Sequence, residues 1–232
     1  MSSADQQKAA SGVAAAALVR DGMKVGLGTG STAAHFVRAL AKRAKSDGLD
    51  LICVPTSEAT ATLASSLGLK LSTLDELGRL DMTVDGADEI GPRLALIKGG
   101  GAALLREKLV WEASDRCVVI ADAAKVVPVL GTFLLPVEVV AFGHTTTARR
   151  IEAVVRNLGI DAAPQLRVRD GTTVATDSGQ LIYDINCMAI VDPQGLANAL
   201  KQVTGVIEHG LFLGLATEAL VGTDTGVDHL TA

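Results

Sequence analysis

The sequence predicts a doubly wound α/β protein: a mostly parallel sheet covered by helices, with a smaller α+β unit inserted in the second half. Three observations carry this reading. Short apolar runs alternate with helical patterns from residue 4 to residue 121, joined by brief polar loops. The runs are apolar on both faces, as in parallel strands buried between helices. The polar, chemically capable residues gather where strands end, which is the edge at which doubly wound sheets bind ligands.

The elements follow in order. Residues 4–20 read as an alanine-rich helix stopped near Asp21-Gly22. Lys24–Leu27 is a strand that runs into the loop Gly28-Thr29-Gly30-Ser31-Thr32. A helix over Ala33–Lys45 carries Phe36, Val37, Leu40 and Ala44 at helical spacing. Leu51–Val54 is a strand, and Thr56 or Ser57 caps a helix over Glu58–Leu67 that stops before Gly68. Leu69–Leu71, Leu80–Val84 and Leu94–Ile97 are strands, the second ending at Asp85 and the third at Lys98 and three glycines. A helix over Ala102–Ala113 and a strand over Val118–Ala121 complete the first half.

The texture changes near Gly131. The expected elements are strand Val137–Phe142, helix Thr146–Leu158, strand Gln165–Val168, a turn at Asp177-Ser178-Gly179, strand Leu181–Asn186 and helix Pro193–Val203. Their order is ferredoxin-like. The expected division is therefore a Rossmann-like domain over 1–131 and 207–232, with a small ferredoxin-like α+β domain over 132–206. Gly205–Leu220 is expected to return to the first domain.

Composition bounds the function. At about 150 residues per domain, 232 residues allow one large domain or one domain with a smaller companion. With 48% apolar and 20% charged residues, intrinsic disorder is excluded. Four Phe, one Trp and one Tyr leave Leu, Val, Ile and Ala to fill the core and provide no stacking platform for single-stranded nucleic acid. The net charge of −5 comes without a basic stripe, so no nucleic-acid partner is expected. The longest charge-free stretches, Ala9–Val19 and Val126–Val137, are too short to span a bilayer, so no membrane partner is expected either. The N-terminus lacks the basic leader of a signal peptide. Cys53, Cys117 and Cys187 are odd in number and far apart, which fits reduced thiols in a cytoplasmic protein. The four histidines share no metal-ligand or triad spacing.

Four segments carry chemistry. In Gly28–Thr32 the glycines let backbone approach a ligand, the following helix offers free N–H groups and a positive dipole end, and Thr29, Ser31 and Thr32 add hydroxyls. A phosphate site fits, and so does a plain strand-to-helix turn; neither a Walker loop nor the dinucleotide fingerprint is present. In Asp85-Gly86-Ala87-Asp88-Glu89 three carboxylates crowd a strand end. They suit acid–base work, oxygen ligation of Mg²⁺, or helix and turn capping. Lys98-Gly99-Gly100-Gly101 supplies backbone N–H groups open to a developing oxyanion, with a lysine at their mouth. In the helix that follows, the i±3 and i±4 neighbours of Glu107 are Ala103, Leu104, Val110 and Trp111. Glu107 is thus expected on the buried side as a general base, or as a glutamate satisfied by a salt bridge such as one to Lys98, while Arg106, Lys108 and Glu112 turn elsewhere. Lys125, at the next strand end, can hold an anion or stay solvated.

In this order and spacing, the loop Gly28–Thr32, the run Asp85–Glu89, the run Lys98–Lys108, the segment Asp122–Lys125 and the late Gly210-Leu211-Phe212 resemble the type A ribose-5-phosphate isomerase family over nearly the whole chain. The resemblance implies interconversion of D-ribose 5-phosphate and D-ribulose 5-phosphate in the non-oxidative pentose phosphate pathway, with no metal and no organic cofactor. It implies that Glu107 moves a proton between C1 and C2 through a cis-enediolate. Asp85, Asp88 and Lys98 would then act in ring opening and charge stabilisation, and Gly86, Ala87, Gly99, Gly100 and Gly101 would line the sugar. Thr29, Gly30, Ser31, Thr32 and Lys125 would hold the substrate, with Lys8 as a further phosphate contact. A homodimer or homotetramer is implied. Two other classes share parts of the pattern: a coenzyme A transferase using Glu107 as nucleophile, and a non-catalytic sugar-phosphate sensor.

Overall fold

The structure, a computed structural model, describes residues 3–231. The chain forms two compact units, one of Met1–Ala87, Arg106–Val126 and Gly214–Ala232, the other of Asp88–Leu105 and Val127–Leu213. Residues 88–105 thus fall in the second unit, whereas the expected division places them in the first.

The first unit is a six-stranded sheet with the order Val227–Thr231, Glu218–Gly222, Cys117–Asp122, Met82–Gly86, Lys24–Leu27, Ile52–Pro55. Every neighbouring pair is parallel except the first, which closes as an antiparallel hairpin. The apolar runs noted above form this sheet because its central strands are covered on both faces: Val25, Leu27, Met82, Val84, Val118 and Ile120 are buried on one, and Thr83, Cys117, Val119 and Ala121 on the other. The helix Ser31–Asp47 lays Phe36, Val37 and Leu40 into the same core, as its spacing requires. Full burial of a side chain such as Phe36 contributes about 1.5–3 kcal/mol. Ser57 caps the helix Glu58–Ser66, accepting a hydrogen bond from the Thr60 N–H at 3.2 Å.

The second unit holds a four-stranded antiparallel sheet with the order Val206–His209, Leu135–Val139, Leu181–Ile185, Gln165–Leu166. Helix His144–Asn157 follows the first of these strands in the chain, and helix Pro193–Lys201 follows the third. The chain order is thus β-α-β-β-α-β, which is the ferredoxin-like arrangement. Ile151 and Val155 from one helix and Leu196 and Leu200 from the other pack with Val137, Val139 and Ile185 in one core. A small sheet of Leu211–Phe212, Leu96–Ile97 and Glu89–Ile90 lies in the same unit.

Several expected elements differ in the structure. Gly205–Leu220 does not return to the first unit as a whole. Val206–His209 pairs with Leu135–Val139, Leu211–Phe212 pairs with Leu96–Ile97, and Glu218–Gly222 is the strand that joins the large sheet. Leu94 lies in a 3₁₀ turn, Pro92–Leu94, because Pro92 starts a turn and Arg93 and Leu94 take positive φ. Leu69–Leu71 makes one isolated bridge, from Leu71 to Cys53. A short helix, Leu74–Leu77, carries a Thr73/Glu76 capping box and is not among the expected elements.

In the large sheet Glu218 is paired on both oxygens: Arg116 Nε donates to Oε1 at 2.5 Å and His229 Nε2 lies 2.8 Å from Oε2. The hydrogen bond from Arg116, supported by that from His229 and opposed by burial, holds the Glu218 carboxyl below the usual glutamate range. Its contribution to stability is present above the unfolded glutamate value, about 4.3, and is lost as pH falls through the lower folded value. Glu218→Gln should therefore be less stable than the parent at pH 7 by about 1 kcal/mol or less, because Arg116 is partly exposed and solvent screens the pair. Urea midpoints taken from pH 7 to pH 3 should show this gap closing in acid; a gap independent of pH would contradict the assignment.

Candidate active site

In the first unit the parallel strands Lys24–Leu27 and Met82–Gly86 end side by side, with Leu27 opposite Val84. Asp85 is fully buried at this edge. Its Oδ1 accepts the N–H of Thr29 at 3.0 Å and that of Gly86 at 2.7 Å, so the carboxyl fastens the first loop to its own turn. This approach demands a glycine at 28, where a Cβ would lie 2.1 Å from Asp85 Oδ1. The Thr29 hydroxyl donates to Ser57 Oγ at 2.8 Å and lies 2.7 Å from Thr56 Oγ1, and Thr60 Oγ1 donates to the Gly28 carbonyl at 2.9 Å. A cluster of hydroxyls thus holds this loop, two of which, Thr56 and Ser57, the sequence marks only as candidate helix caps.

Helix Ser31–Asp47 begins at Gly30 with no side-chain cap, so its first-turn N–H groups lie open at the loop. Ser31 is exposed and Thr32 half-buried. Lys8, from helix Ser3–Leu18, brings its Nζ to 3.4 Å from Ser31 Oγ and 4.0 Å from Asp122 Oδ2. The structure therefore gathers Lys8, Ser31 and the end of strand Cys117–Asp122 at one place. Lys125 closes the 3₁₀ turn Ala123–Lys125, which Asp122 caps through the Ala124 N–H at 3.2 Å.

Glu107 lies in the first turns of helix Leu104–Glu112 and is 3% exposed. Ala103, Leu104, Val110 and Trp111 are buried around the same arc, as the spacing required. Lys108 is also buried, against the expectation that it turns away: in this short helix only Leu109 and Glu112 reach well into solvent, so the covered arc is wide enough to include it. Arg106 pairs with Glu58 at 2.8 Å.

In the second unit Asp88 accepts the Gly100 N–H on Oδ2 at 2.8 Å, and its own N–H donates to the Ile97 carbonyl at 2.8 Å. A Cβ at 100 would stand 2.7 Å from Asp88 Oδ1, so this contact requires glycine. Lys98 is buried, with its Nζ 5.4 Å from the centroid of the Phe212 ring. Its N–H donates to the Gly210 carbonyl at 2.8 Å, which ties the late Gly210-Leu211-Phe212 segment to the glycine run. Gly86 and Ala87 form the short link into Asp88, and Gly101 is exposed at the loop tip. Sequence reasoning missed Arg167, whose Nη1 donates to the Gly99 carbonyl at 2.7 Å. No local pattern marks it, because its partners are distant in sequence. Among the described residues no group of three or more His, Cys, Asp or Glu is placed to hold a metal ion.

Comparison with known proteins gives a consistent result. The family model for ribose 5-phosphate isomerase A (phosphoriboisomerase A) matches residues 52–226. The ribose-5-phosphate isomerase A of Caulobacter vibrioides is 62% identical over 229 residues, covering 98% of this chain and 99% of the relative. The solved ribose 5-phosphate isomerase of Plasmodium falciparum superposes with a TM-score of 0.93 at 34% identity, covering 98% of this chain and 99% of that one. A solved D-ribose-5-phosphate isomerase in complex with phospho-erythronic acid superposes with a TM-score of 0.91 at 33% identity, covering 100% of both chains.

Proposed function

This chain belongs to the ribose 5-phosphate isomerase A family, and we propose that it interconverts ribose 5-phosphate and ribulose 5-phosphate with Glu107 as the general base. The observation that carries the reading is Glu107 itself, a carboxylate buried on an apolar arc of the helix that follows the Lys98–Gly101 run. The carboxylate takes the C2 proton of the open-chain aldose, leaving a cis-enediolate, and returns a proton to C1 while the O2 proton passes to O1. Nothing is oxidised or reduced overall, so the residues need only move protons and stabilise charge. Lys98 and the N–H groups of Gly99 and Gly101 face the developing oxyanion, while the Gly100 N–H is held by Asp88. Asp85 and Asp88 handle the hydroxyl protons in ring opening. Both are anchored by backbone N–H groups, which supports a fixed position for each.

The phosphate rests on Ser31, Thr32 and the open helix N-terminus, with Lys8 and Lys125 supplying positive charge. Thr29 and Gly30 shape this cradle. The enzyme acts as a homodimer or homotetramer in the cytoplasm; Phe142 and Val191, both more than 90% exposed, support burial against another copy.

The test is direct. Protein dialysed exhaustively against EDTA is given ribose 5-phosphate, and ketose is measured with EDTA still present. Ketose should form at a rate within about twofold of untreated protein, because Lys98 and the glycine N–H groups do the work a Lewis acid would otherwise do. Activity lost to EDTA and restored by Mg²⁺ would reassign Asp85 and Asp88 as metal ligands; no ketose under either condition would end the reading.

A further inference from the structure

We propose that Arg167, held by Asp184, is a positioning residue that presets the Gly99–Gly101 loop for the isomerisation; the inference rests on the isomerase reading above. Arg167 lies between two short strands, and its backbone is fixed on both sides: its N–H donates to the Ile182 carbonyl at 2.8 Å, and its carbonyl accepts the Val174 N–H at 3.0 Å. The guanidinium is divided in function. Nε and Nη2 donate to the two oxygens of Asp184 at 2.8 and 2.5 Å, a bidentate fork that sets the plane of the group. Nη1 is then aimed at the loop, 2.7 Å from the Gly99 carbonyl and 3.4 Å from that of Gly100. Arg167 is 11% and Asp184 13% exposed, so the pair is largely shielded from water.

The Gly99 carbonyl and the Gly100 N–H belong to one peptide group. Its oxygen is held by Arg167 and its N–H by Asp88 at 2.8 Å, so the unit is fixed at both ends. The next peptide has its carbonyl near the same cation and its N–H on Gly101; in a trans peptide that N–H points away from Arg167. Three successive glycines carry more backbone freedom than any other residues, and the turn bond that the Ala102 N–H makes at 3.0 Å falls on the same Gly99 carbonyl that Arg167 holds. A cation on the carbonyl side also polarises each peptide, making its N–H a stronger donor. A merely structural ion pair would need only the Asp184 fork. The third contact directs the charge at the loop, and only the planar guanidinium can serve both partners at once.

The experiment compares the parent with Arg167→Met, Arg167→Lys and Asp184→Asn. Each protein is checked for native circular dichroism and thermal midpoint, then assayed for kcat and KM with ribose 5-phosphate. Affinity is measured for phospho-erythronic acid, whose carboxylate carries negative charge, and for inorganic phosphate, which lacks the sugar end. Arg167→Met and Arg167→Lys should each lose about ten- to a hundredfold in kcat, less than deletion of an oxyanion donor because the donors remain but are no longer aligned. KM and phosphate affinity should stay within about threefold, while phospho-erythronic acid binds at least tenfold more weakly. Asp184→Asn should show the same split at smaller size. If Arg167→Met does not fold, Arg167→Lys keeps the charge and loses the fork, and it alone decides. Folded variants with kcat and phospho-erythronic acid affinity within twofold of the parent would overturn the inference, as would equal losses of phosphate and phospho-erythronic acid binding. A parent that forms no ketose would instead overturn the isomerase reading.

Discussion

Replacing Glu107 with Gln is expected to lower kcat by about a hundred- to ten-thousand-fold, or about 3–5 kcal/mol of barrier. Gln has nearly the same volume, so the buried arc of Leu104, Val110 and Trp111 should still pack around it. The amide cannot take the proton, and proton transfer follows binding. The loss should therefore appear in kcat, with KM changed by no more than a few-fold. Steady-state assays with ribose 5-phosphate check this. A variant whose KM rises by the full factor while kcat is kept would make Glu107 a binding group instead.

Free ribose should be poorer than ribose 5-phosphate by a factor of roughly a thousand or more in kcat/KM. Hydrogen bonds to charged groups contribute about 1.5–3 kcal/mol each, and the phosphate is offered several: the Ser31 hydroxyl, the open N–H groups of helix Ser31–Asp47, and Lys8, which already lies 3.4 Å from Ser31 Oγ. Energy from this remote end holds C1 and C2 at the reacting groups, so its loss lowers kcat as well as affinity. Parallel assays of the two sugars decide the point. Equal turnover would mean that the Gly28–Thr32 loop is only a turn.

The parts of the molecule legible in the sequence are those set by local chemistry. Lys24–Leu27 is an apolar run bounded by Gly22 and Gly28, and the strand has those bounds. Ser57 was legible as a cap because its hydroxyl acts three residues away. The burial of Glu107 was legible because helical periodicity puts four apolar side chains around it. What escaped depends on distant partners. Gln165–Val168 reads as one strand, yet Gln165–Leu166 pairs with Leu181–Ile185 while Val168–Arg169 pairs with Thr172–Thr173, and Arg167 between them gives its side chain to Asp184 and Gly99. The engagement of the Thr29 hydroxyl with Thr56 and Ser57 follows from two parallel strands ending together, which no local pattern shows. Val206–His209 is apolar enough for either sheet; its pairing with Leu135–Val139 is a matter of topology. The Thr73/Glu76 box, by contrast, is a local signal of the kind that marks a helix start, and it was there to be read.

The central claim is that Glu107 carries the proton, and exchange with solvent tests it most directly. Parent and Glu107→Gln proteins, both shown to be folded and to bind ribose 5-phosphate, are incubated with the sugar in D₂O while proton NMR follows the C2 hydrogen of the aldose and the C1 hydrogens of the ketose. The parent should replace the aldose C2 hydrogen and one of the two ketose C1 hydrogens with deuterium as it turns over, and Glu107→Gln should leave both positions untouched over the same period. Exchange at a near-parental rate in folded Glu107→Gln would contradict the assignment and make another carboxylate, Asp85 or Asp88, the base.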